Sequence, residues 1–265
     1  MSLKKIVIIF VAFFSLPSSF SQTNIYLDEN LGLIDKATYN KKCDSFLFNC
    51  QTIKNDSMTG YLVFENYKFG KLNTKDYQQV LGVLKRDSEI LELDDKTLII
   101  TYRDNLLNHL HYRQMHPNHQ ITKDNYHIKA KEYISDQKKC IEKATSNNRV
   151  RLYFYRSFAG YFYDTETFNW KQISQLLNKL FFYNNQDSML ILKPNGHYFY
   201  FTEINQKFIL ELLDTNDWTP YIEALENAKT KNTKTPKGFL KNLRINSLNS
   251  SKKNNKYKCY FYGNI

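Results

Sequence analysis

The pattern of apolar and polar positions predicts helices and strands that alternate through the middle of the chain. Asn73 or Thr74 can cap a helix. Apolar residues follow at the spacing of one helical face: Tyr77, Val80, Leu81 and Leu84. A buried strand is predicted over 97–102, and a strand with alternating apolar and polar positions over 149–155. Between these strands, the pattern predicts a helix over 104–115 that ends before a proline.

The second half of the chain continues the alternation. Asn169 is predicted to cap a helix with a full apolar stripe. The stripe consists of Trp170, Ile173, Leu176, Leu177, Leu180 and Phe181. Two strands, over 189–193 and 198–202, are joined through a Pro-Asn-Gly turn, because Asn-Gly tolerates positive φ. Helices over 204–213 and 219–229 follow. The order predicts the α/β class, with a mixed sheet and flanking helices.

The segment SMLILKPNGHYFYF, residues 188–201, followed by a predicted helix at 206–213, resembles the closing β-hairpin and last helix of thioredoxin-like domains. The resemblance implies that residues 98–102 are the first core strand and residues 149–155 the second. It covers about half of the chain. It departs from the family's pattern because no C-x-x-C follows the first strand. The resemblance therefore implies a degenerate thioredoxin-like core, and an unrelated α/β sheet is the alternative.

The first 21 residues have the pattern of a cleavable signal peptide. Two lysines precede an apolar run over 6–16, and the small residues Ser19 and Ser21 then mark a cleavage site before Gln22. The apolar run is too short for a membrane span, and no later run reaches the ~18 apolar residues that a span needs. We therefore expect an exported, soluble protein, periplasmic or extracellular, with no membrane span.

Charge is distributed unevenly along the chain, which carries 37 Lys and Arg against 26 Asp and Glu. Two basic residues lie in the predicted signal peptide and nine lie beyond residue 230, where there is no acidic residue, so residues 22–230 are neutral. We divide the mature chain into a polar lead-in over 22–58, an α/β globular domain over 59–230 and a basic tail over 231–265. The tail is either a solvated segment or a contact for a polyanion. Its basic residues are Lys231, Lys234, Lys237, Lys241, Arg244, Lys252, Lys253, Lys256 and Lys258.

Four cysteines follow the predicted cleavage site, and an even number in an exported chain favours disulfides. Cys43 and Cys50 are close enough in sequence to close a small loop. That pairing leaves Cys140 with Cys259, although four cysteines allow three pairings. No C-x-x-C is present, so a thioredoxin-type redox centre has no support from the sequence.

Five of the six histidines cluster just after the predicted strand at 97–102. They are His109, His111, His116, His119 and His127. The carboxyl end of a strand is a common place for ligand sites in α/β proteins, and Asp104 adds a carboxylate there. Imidazole nitrogens suit zinc or copper, so the cluster is a candidate metal site. The alternative is an exposed polar loop, because the spacing matches no established metal motif and a proline separates His116 from His119.

No sequence motif of a common enzyme class is present: the chain has no G-x-S-x-G, H-E-x-x-H, P-loop or G-x-G-x-x-G. We therefore expect an exported α/β protein that acts by binding or as a structural component and not by catalysis. Two alternatives stay open. One is a secreted metal-handling protein or metal-dependent enzyme that uses the histidine cluster, and the other is a degenerate thioredoxin-like protein.

Overall fold

The computed structural model describes residues 23–55, 58–106, 148–158, 168–184, 186–202 and 206–243, together with a few isolated positions between 114 and 145. The chain divides into two compact units. The first unit contains residues 1–43 and 50–64, and the second contains residues 44–49 and 65–265. Each unit has a β-sheet of its own.

The first unit is built on a three-stranded sheet with the strand order β1-β3-β2. Its elements are β1 (Thr23–Leu27), helix α1 (Lys36–Cys43), β2 (Phe48–Lys54) and β3 (Met58–Glu65). β1 lies parallel to β3, and this register places Tyr26 opposite Tyr61. The two rings stack with centroids 4.6 Å apart, and Tyr39 from α1 contacts both. Much of the predicted polar lead-in therefore has regular structure, which three tyrosines stabilise.

The second unit contains a six-stranded sheet with the strand order β4-β9-β8-β5-β6-β7. The strands are β4 (Tyr67–Lys71), β5 (Thr97–Leu106), β6 (Arg149–Phe158), β7 (Lys171–Gln172), β8 (Ser188–Leu192) and β9 (His197–Phe201). β5 is parallel to β6 and antiparallel to β8, which in turn is antiparallel to β9. The helices are α2 (Thr74–Ser88), α3 (Gln175–Phe181), α4 (Gln206–Asp214) and α5 (Thr219–Thr230), and a 3-10 helix covers Gly238–Leu243.

One face of the six-stranded sheet packs against α2 and α3. The buried residues of this layer include Tyr77, Val80, Leu81 and Leu84 of α2, as the helical spacing predicted. Asn73 caps the helix, because its side chain accepts a hydrogen bond from the backbone N–H of Asp76 at 2.9 Å. From the sheet, alternate residues of β5 and β6 enter the same core, as expected for strands whose side chains alternate between faces.

Trp218 lies on the opposite face of the sheet, and its indole N–H donates to the backbone carbonyl of Leu212 in α4 at 3.1 Å. The ring of Trp218 lies 5.4 Å from that of Phe69, and Phe69 stacks on Phe199 at 4.1 Å. The ammonium group of Lys193 lies 4.5 Å from the Trp218 ring centroid. The predicted hairpin turns at Gly196, whose φ of +80° favours glycine. Trp218 therefore packs on the part of the sheet that contains β4 and the hairpin of β8 and β9.

The structure confirms the α/β class but changes several predicted elements. The predicted helix start at Trp170 is wrong, because Lys171 and Gln172 extend along β6 as β7 and the helix begins at Gln175 after a Ser174 cap. Leu176 and Leu180 are consequently exposed. The predicted helix over 104–115 is wrong at its start, because residues 104–106 continue β5. Among the described residues, no helix has the length and apolar composition of a membrane span.

Candidate functional site

The carboxyl ends of β5 and β6 are the first place to look for a functional site, because the two strands are parallel and end at the same edge. β5 is four residues longer than the sequence pattern predicted and ends at Leu106, just before the histidine cluster. The register places Arg103 opposite Tyr155, and Asn105 opposite Ser157. Polar residues therefore occupy paired positions of β5 and β6 close to the edge of the sheet.

Asp104 is the centre of a hydrogen-bond network at this edge. Arg156 of β6 binds its carboxylate with two nitrogen atoms, with Nε at 2.5 Å and Nη2 at 2.8 Å. Tyr102 donates its hydroxyl to the same carboxylate at 3.2 Å, and Asn105 donates its amide at 2.9 Å. Both oxygens of Asp104 thus accept hydrogen bonds from several donors, and a bidentate Arg–carboxylate pair is among the strongest that side chains form.

A second ion pair lies beside the first. Arg103 is 8% exposed, and its guanidinium pairs with the carboxylate of Asp187, which precedes β8. Asp187 also accepts the backbone N–H of Asp104 at 3.0 Å. One carboxylate therefore compensates a buried cation and fixes the backbone of β5 where the strand ends. Sequence reasoning missed Asp187, because nothing in the local pattern of residues 183–187 connects it to β5.

The charged groups at this edge are paired with one another, and their neighbours shift the pKa values of Tyr102 and Arg156. Burial raises the pKa of Tyr102 above its ordinary value, and the neighbouring Asp104 raises it further, so the phenol stays protonated and donates. The hydrogen bonds that Arg156 donates to Asp104 raise the pKa of Arg156. Two arginines and two carboxylates balance each other. At neutral pH these groups hold the edge together and leave no carboxylate oxygen of Asp104 free to act as a base or a metal ligand.

The five histidines of the candidate metal site, His109, His111, His116, His119 and His127, lie outside the described residues. Asp104, the carboxylate that the sequence analysis placed beside the cluster, is described, and it is bound by Arg156. In the described part of the chain, no group of three or more His, Cys, Asp or Glu side chains is placed to hold a metal ion. Zinc or copper binding by the histidine cluster therefore stays a prediction.

Cys43, the last residue of α1, is joined to Cys50 of β2 by a disulfide with Cα atoms 5.7 Å apart. Cys140 and Cys259 lie outside the described residues, so their pairing stays a prediction. The loop between Cys43 and Cys50 belongs to the second unit, where Leu47 is fully buried. Asn66 donates its backbone N–H to the Leu47 carbonyl at 2.9 Å.

The basic tail is described as far as Leu243. Lys234 pairs with Asp44 at 2.8 Å, and both side chains are exposed. The 3-10 helix buries Leu240 and Leu243. The part of the tail that carries Arg244, Lys252, Lys253, Lys256 and Lys258 lies outside the described residues. Polyanion contact through the tail therefore stays a prediction too.

No family model matches the chain, and neither the curated proteins nor the solved structures include one that is significantly similar to it.

Proposed function

We propose that the chain is an exported thioredoxin-like protein that acts by binding and does not catalyse disulfide exchange. The observation that carries the proposal is the arrangement of four strands in the second unit. β5 and β6 correspond to the two core strands that the resemblance implies, and they are adjacent and parallel. The hairpin of β8 and β9 lies on the other side of β5, and α4 follows it. This arrangement supports a thioredoxin-like core.

The edge of the sheet after β5 supports a role without redox chemistry. The resemblance places the redox motif of the family after the first core strand. Here that strand ends with Arg103 and Asp104, which are paired with Asp187 and Arg156. A thiolate nucleophile needs a cysteine in an exposed, electropositive place. The chain has no C-x-x-C at any position. The paired side chains at this edge therefore suit a structural role. We assign the protein to binding because the redox motif of the family is missing.

Export is the second part of the proposal. The signal-peptide pattern of residues 1–21 supports it, and the Cys43–Cys50 disulfide is consistent with an oxidising compartment. The mature chain should begin at Gln22. Mass spectrometry of protein recovered from the periplasm or the medium tests this directly, and exported protein that retains Lys4 would contradict it.

The absence of exchange activity is tested with the full mature chain in a turbidity assay of insulin reduction by dithiothreitol. We expect the same lag time as without protein, with thioredoxin as the positive control. The variant C43S/C50S is the matched control, because it removes the described disulfide. Acceleration by the wild-type chain would overturn the proposal. If the variant then lost the acceleration, the activity would belong to Cys43 and Cys50. If the variant kept it, the activity would belong to Cys140 and Cys259.

A further inference from the structure

A polar cleft lies at the other end of β5, away from the ion pairs. It is formed by the start of α2, the residues just before β5, and the turn between β8 and β9. Asp95 lines one side and Asn195 another, while Leu72 and Pro194 contribute apolar surface. All the residues that line the cleft belong to the second unit.

One of the residues that line the cleft, Tyr77, has a buried hydroxyl that forms no hydrogen bond within the described part of the chain. The residue is 7% exposed, and its hydroxyl has no hydrogen-bond partner within the described chain. A buried hydroxyl without a partner costs about 1–3 kcal/mol. Tyr77 lines the cleft, and its hydroxyl is buried beneath the surface there, so a ligand that draws the hydroxyl toward the cleft can supply the missing hydrogen bond. Burial raises the pKa of Tyr77, and Asp94 and Asp95 raise it further, so the phenol is a neutral donor at physiological pH.

Other hydrogen-bonding groups around the cleft are also unused. The side chains of Thr74, Gln78 and Asp95 make no hydrogen bond or ion pair in the described part of the structure. The amide oxygen of Asn195 accepts the backbone N–H of His197, which leaves its NH2 group to donate. The cleft therefore offers a hydroxyl, amides and a carboxylate that a ligand can bind without displacing internal partners.

The charges around the cleft cancel. Asp94 is paired with Lys85 at 2.5 Å, and Lys71 and Asp95, of opposite charge, both line the cleft. A cleft with balanced charge does not favour an anion or a cation. Amide and carboxylate groups can each hydrogen-bond a pair of neighbouring hydroxyls, while Leu72 and Pro194 can contact the C–H surface of a sugar ring.

From this geometry, we propose that the cleft at Tyr77 binds a neutral saccharide, with the phenol, Gln78 and Asp95 hydrogen-bonding its hydroxyls. The inference goes beyond the proposed function, which leaves the ligand open, and it does not depend on the thioredoxin-like assignment. Failure of the insulin assay would therefore leave it standing, and failure of the saccharide test would leave the absence of exchange activity standing.

The test titrates the full mature chain with glucose, N-acetylglucosamine, maltose and cellobiose, followed by NMR and calorimetry. We expect at least one saccharide to bind and to shift the resonances of Gln78 and Asp95. Tyr77→Phe removes only the hydroxyl and should weaken that binding about tenfold. It should not lower thermal stability, because the hydroxyl it removes has no partner in the part of the chain that the structure describes.

Tyr198→Phe is the matched control. Tyr198 lies beside Gly70 of β4 and is not among the residues that line the cleft. The variant without this hydroxyl should therefore bind the saccharide as tightly as the wild type. The inference is overturned if none of the four saccharides binds, or if both variants bind equally well. It is also overturned if 1,4-diaminobutane binds more tightly than every saccharide, because the cleft would then select positive charge.

Discussion

Arg103 of β5 forms an ion pair with Asp187, although the two residues are 84 positions apart in the sequence. The guanidinium side chain is 9% exposed and the carboxylate 46%. The pair connects the end of the central strand to the residue before β8, and Asp187 also accepts the backbone N–H of Asp104. One side chain thus adds a link between two strands that the sheet hydrogen bonds already join.

Replacing Asp187 by asparagine should therefore destabilise the second unit. Asparagine keeps an oxygen that can accept the N–H of Asp104, but it removes the negative charge that pairs with the buried Arg103. We expect a loss of roughly 1–3 kcal/mol in the free energy of unfolding, below the range for a fully buried pair because Asp187 is half exposed. Urea denaturation measures it. Glu89→Gln is the control, because Glu89 pairs with Lys171 at an exposed position and its loss should cost less than about 0.5 kcal/mol.

Gly70 and Gly82 should respond in opposite ways to substitution by alanine. A Cβ atom at Gly70 would overlap the ring of Tyr198, its neighbour across the β4–β9 ladder. We expect Gly70→Ala to lose about 1–3 kcal/mol of stability through overpacking. Gly82 lies in α2 with open space around its Cβ position, so alanine there should gain about 0.5–1 kcal/mol. Thermal and urea unfolding compare the two, and equal effects would contradict the role of Tyr198.

The cysteines should all be paired in the exported protein. Thiol labelling of the unfolded, non-reduced chain should find no free thiol, and peptide mapping should recover Cys43–Cys50 and Cys140–Cys259. C43S/C50S should lower the free energy of unfolding by about 2–3 kcal/mol, the chain-entropy value for a loop this short. Two labelled thiols would show that the second pair is not formed.

Metal binding by the histidine cluster can be tested by calorimetry with zinc and copper at pH 7.5. If the cluster binds, affinity should fall as pH drops through about 6.5, because protons compete for imidazole nitrogens near their ordinary pKa. Metal should then raise the melting temperature. H109A/H111A should abolish that shift while leaving the metal-free melting temperature unchanged. Binding of no stoichiometric metal by the wild-type chain would exclude the site.

Much of the fold could be predicted from the sequence, because several helices and turns are determined by residues that are close together in the chain. The apolar spacing of Tyr77 to Leu84 and the Pro-Asn-Gly turn each lie within a few residues, and both formed as predicted. Errors arose where pairing between distant residues decided the structure. Lys171 and Gln172 extend because β6 offers them hydrogen bonds, and Arg103 to Leu106 extend for the same reason.

The sites were harder to predict than the fold. Asp104 was recognised as a carboxylate at a strand end, but its capture by Arg156 depends on β6, which lies about fifty residues later. Tyr77 was assigned to the apolar face of its helix, and its ring does lie in the core. The residue also lines a cleft that residues 94–95 and 194–195 help to form, and its buried hydroxyl has no partner in the described part of the chain, so no local pattern could reveal this site.

The strand order of the larger sheet also constrains how the chain can fold. β4 pairs with β9, and β5 pairs with β8. The hydrogen bonds on this side of the sheet therefore cannot form until residues 188–201 are present. Such high contact order slows folding, since long loops must close before any of this pairing is gained. For the export proposed above, this means that the sheet cannot be completed before residues 188–201 have been synthesised, so a long part of the chain is made before its fold can form.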